Sequence, residues 1–393
     1  MTRRVVVIGG GVAGSAAAVA LRKAGIAVTV YEARPDGGDN TGAALRLPRN
    51  GLAALDTIDA YQPVADASVP LPRTDLGTGS GRHLGTVMLD TDTTGHDPRV
   101  LSRAKLAQVL RDEAVRCGAD VEVGKRLAQA KQTPAGALAT FQDGTAAEAD
   151  ILIGADGINS AVRQAIAPSA PEPTYCGTHI VYGYTPPIPD AQPSPDAFKI
   201  FWGRKATFGY TSATGDFYWY GSIPAPEPHT AEPADPEHWR RSLLRLFRRD
   251  HTPATSIIRA ATTIVPTSTR ELTDLPSWHN DTMVLIGDAA HAAVPATEQG
   301  AALAIEDAVV LAQCLRDTDN APRALAAFET ARRERVVRAA ASRRGRTAHQ
   351  RGVPRWIEQR KRERQVAQAL ASGTMTPPSW LHDFRIDWDQ RLV

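Results

Sequence analysis

The sequence predicts an α/β chain: a Rossmann-like dinucleotide-binding domain, interrupted by an antiparallel β-sheet and closed by C-terminal helices. Three observations carry that expectation. Residues 5–32 read as strand, glycine-rich turn, helix and second strand. Two later apolar strands, in "ADILIGADG" and "TMVLIGDAAH", each end at an acid beside a glycine. Between them, residues 198–223 alternate and carry aromatics, the pattern of short antiparallel strands.

Taken in order, "VVVI" at 5–8 is the β-branched run of a strand buried on both faces. "GSAAAVALRKAG" follows with apolar residues at helical spacing and Gly25 as its stop. "AVTVYEA" is the second strand. Residues 36–100 are rich in Gly, Thr, Asp and Pro, with one helical piece, "RNGLAALDTI". "RAKLAQVLRDEAVRCGA" is an amphipathic helix leading into "VEVG". Dense proline from 168 to 198 marks a change of architecture. "PEHWRRSLLRLFRR" is helical, "IIRAATTIVP" a strand, and long Ala- and Arg-rich helices fill most of 300–370. The expected division is a discontinuous nucleotide domain at 1–72, 97–170 and 266–345, a second domain at 73–96 and 171–265, and a helical tail at 346–393.

Bulk properties narrow the function. With 393 residues, 45 Lys plus Arg against 43 Asp plus Glu, and a net charge of +2, nothing points to a nucleic acid partner. In the Arg-rich stretch 332–364, interspersed Glu329, Glu334, Glu358 and Glu363 favour a solvated helix face. Cys117, Cys176 and Cys314 are far apart, so neither a disulfide framework nor a zinc site is expected. No run approaches the ~20 apolar residues of a membrane span. A soluble, cytoplasmic protein is the expectation, as a monomer or homodimer.

The chemistry begins at Gly9-Gly10-Gly11-Val12-Ala13-Gly14. In a GxGxxG turn, Gly9 permits the tight turn, Gly11 lets the backbone approach a pyrophosphate, and Gly14 lets helix and strand pack closely. The following helix N-terminus offers free N–H groups to phosphates. Glu32 ends the second strand 18 positions after Gly14, near the spacing of a ribose-binding acid. That unit alone leaves NAD and FAD open. Asp156-Gly157 taken alone is equally a plain turn. A carboxylate at Asp288, at a strand tip before a helix beginning near Gly300, can accept hydrogen bonds from a polyol.

Together, and in this order, GxGxxG with Glu32, "GAALRLPRNGLAAL", "LSRAKLAQVL", Asp156-Gly157 and Gly287-Asp288 resemble the aromatic-hydroxylase class of FAD-dependent monooxygenases, group A, over nearly the whole chain. The resemblance implies a GR2-type FAD-binding domain. Gly9, Gly11, Val12, Ala13 and Gly14 would hold the pyrophosphate, Glu32 the adenosine ribose, and Ala33 and Arg34 the adenine end. Arg103 would lie over the cofactor, and the Leu127 backbone would meet adenine. Arg46 would contact the isoalloxazine or pyrophosphate. Asp156 belongs to an element tied to both FAD and NAD(P)H. Gly287 and Asp288 would bind the ribityl chain, and Pro295, Gly300, Ala301 and Ala302 would carry backbone past the flavin ring. Where the family reads P-x-x-G-Q-G, this chain has Glu298. That glutamate either points to solvent as a helix N-terminal acid or faces the substrate.

The resemblance also implies NAD(P)H and O2 as co-substrates, reaction through a flavin C4a-hydroperoxide, and a small-molecule substrate bound between the aromatic sheet and the flavin. Tyr182, Tyr184, Tyr210 and Trp219 are the pocket candidates, though aromatic strand residues often serve only sheet packing. Hydroxylation, epoxidation and Baeyer–Villiger insertion stay open. A halogenase, faintly echoed by "WYGSIP", needs an early pocket lysine, and none lies between Lys23 and Lys105. An isoprenoid-type reductase and a catalytically silent flavoprotein remain as alternatives.

Overall fold

The computed structural model describes residues 3–38, 42–89, 95–228, 235–272, 274–294, 298–341, 355–373, 375 and 378–393. A five-stranded parallel sheet orders its strands Met283–Leu285, Ile151–Gly154, Arg4–Ile8, Ala27–Glu32 and Asp120–Val123. Val5, Val7, Ile151, Ile153 and Val284 are each at most 2% exposed. Burial on both faces explains why these strands read as continuous apolar runs rather than alternating ones. The two helices Val12–Lys23 and Gly300–Asp317 pack together, and Ala16, Ala17, Ala18 and Ala20 of the first are buried. Both acidic tips, after Ile151–Gly154 and Met283–Leu285, therefore emerge at the carboxyl edge of adjacent strands.

A seven-stranded sheet runs Thr263–Glu271, Thr174–Thr185, Phe217–Pro224, Thr207–Thr211, Ala197–Trp202, Arg73–Thr78 and His83–Met88. It is antiparallel except that Ala197–Trp202 and Arg73–Thr78 run parallel. Thr263–Glu271 pairs with Thr174–Thr185 on both sides of one register shift, so a boundary at 266 would cut through a strand of this sheet. Helix Pro236–Phe247 covers one face through Trp239, Leu243 and Phe247, spaced four apart on one stripe. Asp235 caps its first turn by accepting from Glu237 N–H.

Two small three-stranded sheets complete the fold. One joins Ala44–Leu47, Arg99–Ser102 and Val69–Pro70, in a region read from sequence as largely irregular. The other joins Ala146–Ala149, Gly136–Phe141 and Leu127–Thr133. The expected tail does not stand apart. Residues 380–390 fold back, with Asp383 on Arg49, the Trp380 and Leu381 carbonyls on Arg335, and the Asp387 and Trp388 carbonyls on Gln313. No helix among the described residues is long and apolar enough to cross a membrane.

Candidate active site

The glycine loop is shaped by contact as much as by turn. Gly9 sits at φ +107°, and a Cβ there would lie 2.4 Å from the Ala155 carbonyl oxygen. At Gly14 a Cβ would fall 1.9 Å from the Gly9 oxygen, so helix and strand meet only because that atom is missing. Gly11 is the opposite case, with nothing within 4 Å of its Cβ position. The start of helix Val12–Lys23 is therefore open to a ligand, with no side-chain cap on its N–H groups.

Glu32 bends back on this loop. Its two carboxylate oxygens accept from Gly10 N–H at 2.7 Å and Arg34 N–H at 2.8 Å. The segment before Leu127 is drawn alongside, Lys125 N–H donating to the Glu32 carbonyl and Gly124 N–H to the Arg34 carbonyl. Arg111, missed from sequence, ties the loops together by donating to the Gly37 and Gly10 carbonyls. The available signal was an arginine on the buried stripe of helix Arg103–Arg116, beside Leu110 and Ala114. Arg34 and Arg103 both lie close enough to Tyr182 for their charges to act on its hydroxyl, whose pKa is nevertheless raised, chiefly by burial.

The two acidic tips differ. Asp288 is exposed, makes no side-chain hydrogen bond among the described residues, and lies beside Gly300 at the start of helix Gly300–Asp317. The Gly287 N–H behind it is held by Asp307, which is fully buried and also meets His291 at 2.6 Å and Arg332 at 2.8 Å. Asp156 is engaged within its own loop. Its Oδ2 accepts from Ala161 N–H at 2.7 Å and Val162 N–H at 3.2 Å, capping helix Ala161–Ile166 together with Ser160. Burial pushes its carboxyl up from the usual range. The carboxylate thus serves its own helix, while its backbone packs against Gly9.

The helix start next to Asp288 is supported from beneath. Asn50 Nδ2 donates to Gln299 and Glu306, and Arg335 grips both Glu306 oxygens. Ala302 is buried against Gly51, where a Cβ would lie 2.9 Å from the Ala302 methyl. Ala301 is partly buried beside it. Pro295 lies outside the described residues.

One face of the seven-stranded sheet is tied to this helix start through Arg46, which bonds both Thr74 and Glu298. Cross-strand pairs Tyr182–Tyr220 and Tyr184–Tyr218 place four phenols on it, joined by Phe198, which stacks on Tyr220. Burial pushes Tyr184 up to about 12 and raises Tyr218 and Tyr220 as well, so all three present neutral hydroxyls at pH 7. Tyr218, Tyr220 and Phe198 were not among the sequence-based pocket candidates. Tyr210 and Trp219 correct that set in the other direction. They lie on the reverse face, 2% and 0% exposed, packed with Phe208, Phe217 and Phe247. Strand alternation sends them there: each is one residue out of step with the site-facing row.

Arg46 is engaged by protein partners. Its guanidinium donates to Thr74 Oγ1 at 2.8 Å and to both oxygens of Glu298, the closest at 2.7 Å. Arg46 and Glu298 thus bridge the helix start and the sheet face. Glu298 holds φ +55°, the left-handed backbone that glycine adopts most easily.

The donor set fits a dinucleotide with a polyol arm. An uncapped helix start lies at Gly11, an acid at Glu32, and an open carboxylate at Asp288 at the carboxyl edge of the same sheet. These features define a dinucleotide-binding protein of the Rossmann-like class. The family described as "FAD binding domain" matches residues 2–344, and the chain belongs to it. Aurachin C monooxygenase/isomerase of Stigmatella aurantiaca is 30% identical over 341 residues, 84% of this chain and 85% of that protein. The FAD-dependent urate hydroxylase of Klebsiella pneumoniae is 30% identical over 344 residues, 85% and 86%. A solved structure of Klebsiella pneumoniae HpxO complexed with FAD and uric acid superposes with a TM-score of 0.85 at 26% identity, covering 97% of this chain and 96% of that one. The chain is an FAD-dependent monooxygenase of group A.

Proposed function

We propose that this enzyme inserts one atom of O2 into an aromatic or polyketide-like small molecule at the expense of NAD(P)H. The balance is substrate plus O2, NAD(P)H and a proton, giving oxygenated substrate, NAD(P)+ and water. When bound, FAD supplies the redox chemistry that links nicotinamide oxidation to O2 activation. The observation that carries the reading is the open carboxylate of Asp288 beside the Gly300 helix start, which Glu298 and Arg46 tie to the phenol-bearing sheet through Thr74.

In this reading Gly9, Gly11, Val12, Ala13 and Gly14 hold the pyrophosphate on helix N–H groups, and Glu32, Ala33, Arg34, Arg103 and Leu127 surround the adenosine. Asp288 and Gly287 hold the ribityl chain. Gly300, Ala301 and Ala302, the first residues of their helix, would offer its N-terminus to the flavin, whose reduction adds negative charge. Tyr182, Tyr184, Tyr218 and Tyr220 exclude water and orient the substrate through neutral hydroxyls. The FAD-binding domain comprises 1–72, 97–170 and the region after Thr263–Glu271. Residues 73–96 and 171–271 form the substrate domain. A cytoplasmic monomer or homodimer completes the reading.

Anaerobic mixing of the yellow protein with NADH and then NADPH, followed by flavin absorbance, tests it. Bleaching that accelerates with phenolic or polyketide-like compounds is expected. Bound flavin that neither nicotinamide reduces would overturn the reading in favour of a catalytically silent flavoprotein.

A further inference from the structure

We propose that Glu298 masks the charge of Arg46, and that the pair makes this pocket selective for uncharged aromatic substrates over aromatic carboxylates. The inference rests on the hydroxylase reading above and adds the substrate's charge class. Arg46 stands on strand Ala44–Leu47 with its side chain 11% exposed, and its guanidinium points at the sheet face through Thr74. Thr74 pairs with Phe198, in the same cross-strand row as Tyr218 and Tyr184. A planar guanidinium in that position is a bidentate fork for a carboxylate. Here the fork is already filled, because both Glu298 oxygens lie within hydrogen-bond distance of Arg46.

The glutamate occupies the fork despite a backbone cost. At φ +55° a residue with a Cβ is strained, and the interaction with Arg46 is what the side chain gains there. Both charges also act on Tyr220, which burial and Glu298 raise and Arg46 lowers, so the pair sits within reach of the phenol wall. An incoming carboxylate would meet a filled fork, a fixed negative charge and neutral phenols. An uncharged ring with hydroxyl or carbonyl groups meets no such penalty. Removing the Glu298 charge would leave Arg46 free to take the anion, a change on the order of tenfold or more in affinity.

The test titrates FAD-loaded protein at pH 7 with resorcinol, uncharged, and with 3-hydroxybenzoate, anionic. Dissociation constants come from the flavin absorbance change. In Glu298→Gln and Glu298→Gly the carboxylate-to-phenol affinity ratio should rise at least about tenfold, and Arg46→Gln added to Glu298→Gln should abolish the rise. Glu298→Gly relieves the left-handed position, so its thermal midpoint guards against misfolding. A ratio unchanged within about twofold in both single variants, including the case where no carboxylate gains measurable binding, overturns the inference. So does loss of resorcinol binding alone in Glu298→Gln, which would make Glu298 a substrate ligand. Flavin content and its reduction by NAD(P)H report separately on the hydroxylase reading.

Discussion

Asp156 and Asp288 stand at the tips of adjacent parallel strands, each beside a glycine, yet their carboxylates are held differently: Asp156 Oδ2 caps a helix, while Asp288 points to solvent. The strands pair in register, Gly154 opposite Leu285. After Ile151–Gly154 the chain turns at once into helix Ala161–Ile166, whose first N–H groups fall onto the Asp156 carboxylate. After Met283–Leu285 the short helix Asp288–His291 begins at the acid itself, so the carboxylate points outward. The demand of Gly287 for an acceptor is met from behind by Asp307. Where a backbone N–H lacks a partner, the nearest carboxylate is recruited inward; where a second acid meets that need, the first stays free.

The largest expected effect breaks the support behind Asp288. Asp307→Asn removes the charge facing His291 and Arg332 in a fully buried cluster, and should cost about 3–5 kcal/mol of stability. Burial works against the Asp307 carboxylate, yet His291 and Arg332 hold it at about 2, below its ordinary range. A depressed acid contributes stability that is present above its unfolded pKa and lost as pH falls through about 2. Acid titration of thermal midpoints should therefore show the wild-type advantage over Asp307→Asn shrinking on that acid flank. An advantage constant down to the lowest accessible pH would refute the ion-pair account.

Next comes the contrast itself. Asp288→Ala should weaken FAD binding by on the order of 10–100-fold while leaving the apoprotein's thermal midpoint unchanged, because the side chain touches nothing that holds the fold. Asp156→Ala should do the reverse, losing about 1–2 kcal/mol of stability through its cap with little change in FAD affinity. Equilibrium dialysis and calorimetry on both variants separate the two. If both lose FAD to the same degree, the two tips act alike and the comparison fails.

This contrast also marks what sequence could and could not reveal. The parallel sheet, the glycine loop, Glu32 and the free Asp288 were legible because each depends on local pattern: apolar runs, glycine spacing and an acid at a strand end. The sheet face was harder. Alternation groups Tyr182 with Tyr184, but deciding which face meets the site requires the pairing to Tyr220 and Tyr218, a tertiary fact. Tyr210 and Trp219 were misplaced for that reason. The network of Asn50, Glu306, Asp307, Arg332 and Arg335 was invisible because its members lie hundreds of residues apart or on helix faces that read as ordinary. The Arg46 contacts were equally hidden, because Thr74 and Glu298, its two partners, lie 28 and 252 positions away in sequence.

The smallest effect sharpens the role of Asp156. Its carboxyl is raised by burial, with Ser160 and the helix N–H groups only partly offsetting the cost of charge. A raised folded pKa means that the folded state binds the proton more tightly than the unfolded chain, so stability falls as pH rises from the ordinary aspartate range through the folded value. Asp156→Asn keeps an oxygen that can accept from Ala161 and Val162 N–H but has no charge to desolvate. Relative to wild type, the variant should therefore gain stability as pH is raised from 4 to 7, by far less than Asp156→Ala loses. Paired thermal midpoints across that range check the sign. If the variant instead falls behind wild type as pH rises, the ionised carboxylate is favoured in the fold, and Asp156 holds its helix as a charge rather than as an acceptor alone.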